Sequence, residues 1–377
     1  MSKNIVVYSD GTGQDGAERV DQRLSNVYKM FRATRVGPDS AIDPAAQVAF
    51  YDLGLGTDAD SRSRGKVRKA IGKLMASVAG RGIAYNIVDC YEFILDHWRP
   101  GDRIFLVGFS RGAYTVRALA QVLALCGVPT HEPDAPGTPM RRFSRSTRTI
   151  ADLAVRRVYE HGAGHDREAF AAERNELARR FRDRHGSNGA SEAGSPNADP
   201  YFVGVFDTVA ALGVKGPKRL AMISVCVVLV AVALLVLTWA MSAIAGQPFL
   251  SMFVFLAGIT SLIVGTYLRR DSLRFIDNYP GKGSPRRTHH IAWRSDNYDR
   301  ELNVRVGYGR HATAIDEDRA DFRREGWGRL GTVRHRRPGE PEPLVQLWFA
   351  GNGIPTVGRD AGVDGRGGEV ASASARR

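Results

Sequence analysis

The stretch Arg103 to Ala120, RIFLVGFSRGAYTVRALA, decides how this chain is read. DRIFLVGF is a continuous apolar run of strand length, of the kind buried on both faces of a parallel sheet. AYTVRALAQVLALCG is a helix closed by Gly127. Between them lies Gly108-Phe109-Ser110-Arg111-Gly112. A serine on a sharp strand-to-helix turn, flanked by glycines, presents its hydroxyl at the carboxyl edge of a sheet. The glycines remove side chains that would collide there. The Arg111 amide, at the start of the helix, is placed to donate to an oxyanion. A plain strand-helix turn is the alternative.

Working outward, NIVVYSDG opens as a buried strand, Ile5 to Tyr8, and a second short strand lies near Val48 to Tyr51. Ile83, Ile87, Tyr91 and Leu95 recur at helical spacing. Pro129 to Arg145 reads as loop, Ile150 to Arg184 as charged and amphipathic, and HGSNGASEAGSPNADP as a flexible linker. YFVGVFD is a further buried strand ending at Asp207, RHATAIDEDRADF reads as a helix, and PLVQLWFAG is a last strand. Strands alternating with helices predict an α/β fold, a mainly parallel sheet with helices on both faces.

Leu220 to Leu268 contains no Asp, Glu, Lys, Arg or His. It is long enough for two spanning helices of ~20 residues each, broken near Gly246-Gln247-Pro248. Lys215, Lys218 and Arg219 precede it, and Arg269 and Arg270 follow it. Positive flanks at both ends predict an inserted two-helix transmembrane hairpin with both ends cytoplasmic. The expected placement is a bacterial inner membrane, crossed twice, with the bilayer as partner and the remaining chain facing the cytoplasm. A pair of buried core helices is the alternative.

Composition narrows the partners. Lys and Arg number 53 against 40 Asp and Glu, a net charge of +13. That balance suits an anionic neighbour, nucleic acid or lipid headgroups. The basic residues lie in scattered pairs with no aromatic interleaving and no recognisable nucleic-acid module, so no nucleic-acid partner is expected. The three cysteines, Cys90, Cys126 and Cys226, lack metal or disulfide spacing. The N-terminus has no signal-peptide pattern. Gly11, Gly13 and Gly16 match a dinucleotide fingerprint after a strand. No acidic strand end follows at the ribose-binding distance, and Asp10 would repel a pyrophosphate.

Asp207 ends a strand that follows the serine, which fits the order serine, acid, histidine of one hydrolase class. A helix-capping aspartate before Thr208 is the bland alternative.

Taken together, YSDGTGQ, SNVYKM, YDLGLGT, GDRIFLVGFSRGAYTVRALA, VGVFDTVAALG, RHATAIDEDRADF and VQLWFAGN resemble the DUF2235 family of α/β-hydrolases. The Tle1-like type VI secretion phospholipases belong to that family. The resemblance runs from Tyr8 to about Asn352. It implies Ser110 as nucleophile and Asp207 as triad acid, with Asp10, Gly11 and Thr12 in an active-site loop that supplies the second oxyanion amide. It implies hydrolysis of lipid or phospholipid esters through an acyl-serine, with no metal or organic cofactor. The expected organisation is a hydrolase domain in two parts, 1–214 and 271–352, the hairpin 215–270 between them, and an atypical tail, 353–377.

The family's catalytic histidine lies after the last strand, in a segment like W-F-x-G-x-H-S-D-x-G-G. This chain reads LWFAGNGIPTVGRDAG, and Gly353 stands in the histidine's place. Three explanations are open. His311 serves as base, ahead of His289 and His290. Alternatively the base is lost, leaving a pseudoenzyme or a binding and scaffolding protein. Or the reading frame has shifted: codons GGC ATT CCG AC for Gly353 to Thr356, skipped by two bases, yield CAT TCC GAC, His-Ser-Asp. The tail lacks apolar periodicity and reads as frame-shifted or disordered sequence.

Overall fold

The computed structural model describes residues 2–11, 14, 24–53, 82–133, 135, 137–166, 168–190, 194–208, 216–291, 301–314, 326–327 and 338–349. The elements are, in chain order, β1 (Asn4–Ser9), α1 (Asn26–Thr34), β2 (Gln47–Asp52), α2 (Gly82–His97), β3 (Arg103–Phe109), α3 (Arg111–Cys126) and α4 (Arg145–Leu153). A π-helical segment, Ala154–Tyr159, continues α4. Then come α5 (Ala171–His185), β4 (Pro200–Phe206), α6 (Gly216–Ala245), α7 (Phe249–Ser272), β5 (Leu273–Ile276), β6 (Arg287–His290), β7 (Tyr308–Ala314) and β8 (Leu344–Phe349).

Six strands form one sheet in the order β2-β1-β3-β4-β7-β8, and every neighbouring pair in it is parallel. Side chains alternate along each strand. Ile5, Val7, Ile104 and Leu106 therefore enter the large core under α2 and α3. Val6, Tyr8 and Val107 face the other way and pack with Val27 of α1. Helices thus cover both faces, as the unbroken apolar runs of β1 and β3 require. β1 pairs with β2 on one side and β3 on the other, so the order reverses between β1 and β3. Ligands of open parallel sheets bind in the crevice at the carboxyl ends beside such a reversal.

Three sequence expectations change. RHATA lies at the end of strand β7, not at the start of a helix; pairing with β4 and β8 overrides a weak local preference. The Gly- and Ser-rich stretch before β4 is anchored where it is described: the Asn197 side chain accepts from the Val128 amide and donates to the Val128 carbonyl, both at 2.8 Å.

The third change concerns 215–270. The two inserted helices are present and pack on one another, with Val227, Val236, Trp239 and Leu250 exposed. Among the described residues, however, no helix is long and apolar enough to cross a membrane. A span takes ~20 consecutive apolar residues in one helix, and no stretch of the described residues meets that requirement. The transmembrane hairpin and the twofold inner-membrane crossing therefore do not stand on the structure. After α7 the chain forms an antiparallel pair, β5 with β6, which sequence reasoning missed because each strand has only four residues.

Candidate active site

The strand ends at the β1/β3 reversal hold the candidate residues. Register aligns Ser9 with Gly108, and Phe109 with Phe206. Asp10, Ser110 and Asp207 are each the next residue along their strands, so they emerge side by side at one edge of the sheet.

Ser110 adopts φ 54° and ψ −115°. Positive φ on a residue with a Cβ is disfavoured and persists only where surroundings enforce it. Here the Ser110 amide donates to the Phe206 carbonyl at 2.9 Å, which ties the turn to β4. Two glycines permit the turn. A Cβ on Gly108 would lie 2.5 Å from the Gly112 carbonyl oxygen, and one on Gly112 would lie 2.0 Å from the Ser9 carbonyl oxygen. The start of α3 therefore sits directly against the end of β1. Arg111 is the first residue of α3, whose leading amides have no partner within the helix and carry its positive end. Burial lowers the pKa of the Arg111 side chain.

The loop after β1 faces Ser110 closely. A Cβ on Gly11 would stand 3.2 Å from the Ser110 Cβ and 2.8 Å from the Phe109 ring. Asp10 is buried and fixes this loop. Its Oδ1 accepts from the Gly11 amide at 2.8 Å. Its Oδ2 accepts from the Tyr51 hydroxyl at 2.6 Å and from Ser25 Oγ. Burial raises the pKa of this carboxyl, against the lowering effect of the three donors. The Gly11 amide is thus engaged by its neighbour. Thr12, the other expected contributor, lies outside the described residues. Tyr51 and Ser25 were not foreseen, although both fall in segments already singled out, YDLGLGT and SNVYKM. One layer deeper, Ser9 Oγ donates to Asp52 at 2.6 Å, and the Asn86 amide donates to both Asp52 oxygens at 2.9 and 2.8 Å.

Asp207 also has positive φ, 41°. Its amide donates to the Ala312 carbonyl at 2.9 Å, and its Oδ1 accepts from the Ala314 amide at 2.5 Å. Both bonds reach β7, so the carboxylate is held at the strand end.

His311 lies within β7, level with Val205. Its Nδ1 is 3.2 Å from Gln346 Oε1 of β8. The ring meets Trp327 edge-on at 5.6 Å, and the Arg117 guanidinium of α3 stands 5.2 Å from that same indole. Burial lowers the His311 pKa to about 4, opposed by the Gln346 contact and deepened by Arg117. Its described contacts lead to Gln346, Trp327 and Arg117, and among the described residues its buried Nε2 has no hydrogen-bond partner. His289 packs instead against His161, Phe170 and the Gly162 amide, on the β5–β6 pair. Among the described residues no group of three or more His, Cys, Asp or Glu side chains could hold a metal ion. Gly353 and the rest of 350–377 lie outside the described residues.

At one edge of the parallel sheet, a serine on a strained strand-to-helix turn thus stands beside an aspartate at the next strand end. The chain belongs to the family of type VI secretion phospholipase effectors, Tle1-like, catalytic domain, whose model matches residues 3–242 and 272–368.

Individual relatives are more distant. An uncharacterized protein of Saccharomyces cerevisiae is 30% identical over 131 residues, 33% of this chain and 18% of that protein. A crystal structure of an uncharacterized protein from Pseudomonas aeruginosa shares 15% identity, covering 93% of this chain and 40% of that one, with a TM-score of 0.35. The Tle1 effector bound to the VgrG spike of the type 6 secretion system also shares 15% identity. It covers 94% of this chain and 51% of its own, with a TM-score of 0.33. The chain thus spans about half or less of the length of these relatives.

Proposed function

We propose that this chain is a lipid-ester hydrolase in which Ser110 is the nucleophile and Asp207 the acid that orients the base. The observation that carries the proposal is the Ser110 backbone, held at φ 54° between two glycines that admit no side chain. Such strain at a strand-to-helix turn is retained where it serves chemistry. The Ser110 hydroxyl attacks the ester carbonyl, and the α3 amides beginning at Arg111 receive the oxyanion. The tetrahedral intermediate collapses to expel the alcohol, which takes up the serine proton, and water then hydrolyses the resulting acyl-serine to free acid and serine. Membership of a phospholipase effector family supports a lipid substrate.

His311 is a positioning residue in this proposal. Its ring joins β7 to β8 through Gln346 and packs on Trp327. The base that the resemblance calls for belongs after β8, where Gly353 stands. Without that base, a site of this type keeps only its oxyanion and binding contributions, roughly 10³–10⁴ over water. A second reading, a lipid-binding pseudoenzyme on the same scaffold, is favoured by that same glycine.

The test is release of fatty acid from phosphatidylglycerol vesicles and from a soluble nitrophenyl ester by the full chain, by Ser110→Ala and by Gly353→His. Weak release that vanishes in Ser110→Ala and rises in Gly353→His supports the hydrolase. Release unaffected by Ser110→Ala overturns it. No release from any form, with all three folded, supports the pseudoenzyme.

A further inference from the structure

A cleft of about 690 Å³ opens where α7 passes into β5, away from the strand ends that carry Ser110. Ser261, Leu262, Gly265 and Thr266 of α7 form one wall, Leu273 and Phe275 of β5 the other, and Arg157 of the π-helical segment closes one side. The four α7 residues recur at i, i+1, i+4 and i+5, which places them on one helix face. Ser261 and Gly265 are small and leave the groove open; a Cβ on Gly265 would meet nothing within 4 Å. The volume lies in the range of small-molecule sites, roughly 300–1,000 Å³.

The charges around this cleft are unevenly matched. Arg157 and Arg286 each place a guanidinium 4.3 Å from the Phe275 ring centre. Arg286 is paired with Asp277 at 2.5 Å. Arg274 is paired with Glu160. Arg156, beside Arg157, is paired with Asp152 at 2.6 Å. Among the described residues Arg157 alone of these four has neither an ion pair nor a hydrogen bond. Burial lowers its pKa and the nearby Arg274 and Arg286 lower it further, against the raising effect of Asp152 and Asp277. The Arg157 side chain is exposed beside the cleft and stays charged, so its guanidinium is available to an anion. A divalent cation would be repelled, and a polyanion would need more than one free arginine.

We propose that the cleft between α7 and β5 binds a single-chain fatty acid, its carboxylate on Arg157 and its alkyl chain along Leu262, Leu273 and Phe275. Ser261 and Thr266 supply hydroxyls within the same cleft. This site lies outside the Ser110 centre, and its occupancy does not depend on whether Ser110 is active.

The experiment is equilibrium dialysis of the full chain against radiolabelled laurate below its micelle concentration, with 1-dodecanol as the uncharged match. Laurate is expected to saturate at one per chain and to bind more tightly than dodecanol. Arg157→Glu is expected to weaken laurate by at least about tenfold, the size of a lost charge-assisted pair, while leaving dodecanol unchanged. Arg157→Lys is expected to restore most of the laurate affinity. Gly265→Trp, which fills the groove, is expected to remove saturable binding of both. Laurate binding that is equal in Arg157→Glu overturns the site, as does failure to saturate. Tighter saturable binding of dilauroyl phosphatidylglycerol than of laurate overturns the single-chain assignment. Should Gly265→Trp fail to fold, the laurate-to-dodecanol comparison in the Arg157 variants still decides. Since every arm reads binding, an inactive Ser110 leaves the outcome unaffected.

Discussion

Gly112 packs against Ser9 so closely that a Cβ on it would lie 2.0 Å from the Ser9 carbonyl oxygen. This contact joins the turn carrying Ser110 to the end of β1, and hence to the loop of Asp10 and Gly11. Gly112→Ala is expected to cost about 3 kcal/mol, the upper end of overpacking effects, because the obstacle is backbone. Chemical denaturation of the full chain measures the loss. A change within about 0.5 kcal/mol, the scatter of unremarkable surface substitutions, would refute the close approach.

Asp10 is expected to matter as the anchor of that loop. Tyr51→Phe removes one donor to a buried carboxylate and is expected to cost ~1.5–3 kcal/mol. Asp10→Ala strands the Tyr51 and Ser25 hydroxyls and the Gly11 amide together, and is expected to cost more. Unfolding midpoints in urea, compared across both variants, give the ranking. Equal stability of the wild type and Asp10→Ala would contradict the network.

The pH dependence follows from two histidines held neutral. Burial lowers His311 and His289 each to about 4 from the usual value near 6.5. For His289 the neighbouring His161 and His165 add to the lowering. A group depressed on folding binds fewer protons in the folded state than in the unfolded state. Stability is therefore fully present above pH 6.5 and is lost progressively as pH falls from 6.5 to 4. For buried His311 the loss is on the order of 3 kcal/mol. His311→Gln is expected to flatten part of the stability-versus-pH curve in that window, and His289→Gln another part. A slope unchanged by either substitution would show that neither ring is held neutral.

Asp207 anchors the end of β7 as well as serving the proposed chemistry. Asp207→Asn keeps an oxygen acceptor for the Ala314 amide and removes the charge. It is expected to leave the unfolding midpoint near that of the wild type and, in the Gly353→His background that supplies a base, to slow acylation of Ser110. Asp207→Ala loses the bond as well and is expected to cost about 1–3 kcal/mol, the penalty of an amide left unpaired. Two variants alike in both stability and acylation rate would separate the carboxylate from both roles.

Much of this site was legible in the sequence because its signals are local. A buried strand, a glycine-flanked serine and an apolar helix are contiguous in 103–127, and nothing distant is needed to read them. Asp207 was legible because it ends an apolar run. The placement of His311 was not. RHATA carries no strand signature of its own and becomes β7 only through pairing with β4 and β8. The donors to Asp10 come from α1's cap and from the end of β2, so the sequence separates what the sheet register unites. For 215–270, the charge-free stretch Leu220 to Leu268 led to a transmembrane expectation that the described helices do not meet. The arginine cleft was illegible because pairing, which leaves Arg157 alone among its neighbours, is decided by tertiary contacts.

The most direct measurement is labelling of the folded full chain with a fluorophosphonate, followed by peptide mapping, beside Ser110→Ala and His311→Gln. Label on the peptide holding Ser110, absent in Ser110→Ala and retained in His311→Gln, is the expected result. It would establish a reactive serine at the strained turn, with His311 in a positioning role. Label that persists in Ser110→Ala, or none on folded wild-type protein, would contradict the assignment of Ser110 as nucleophile.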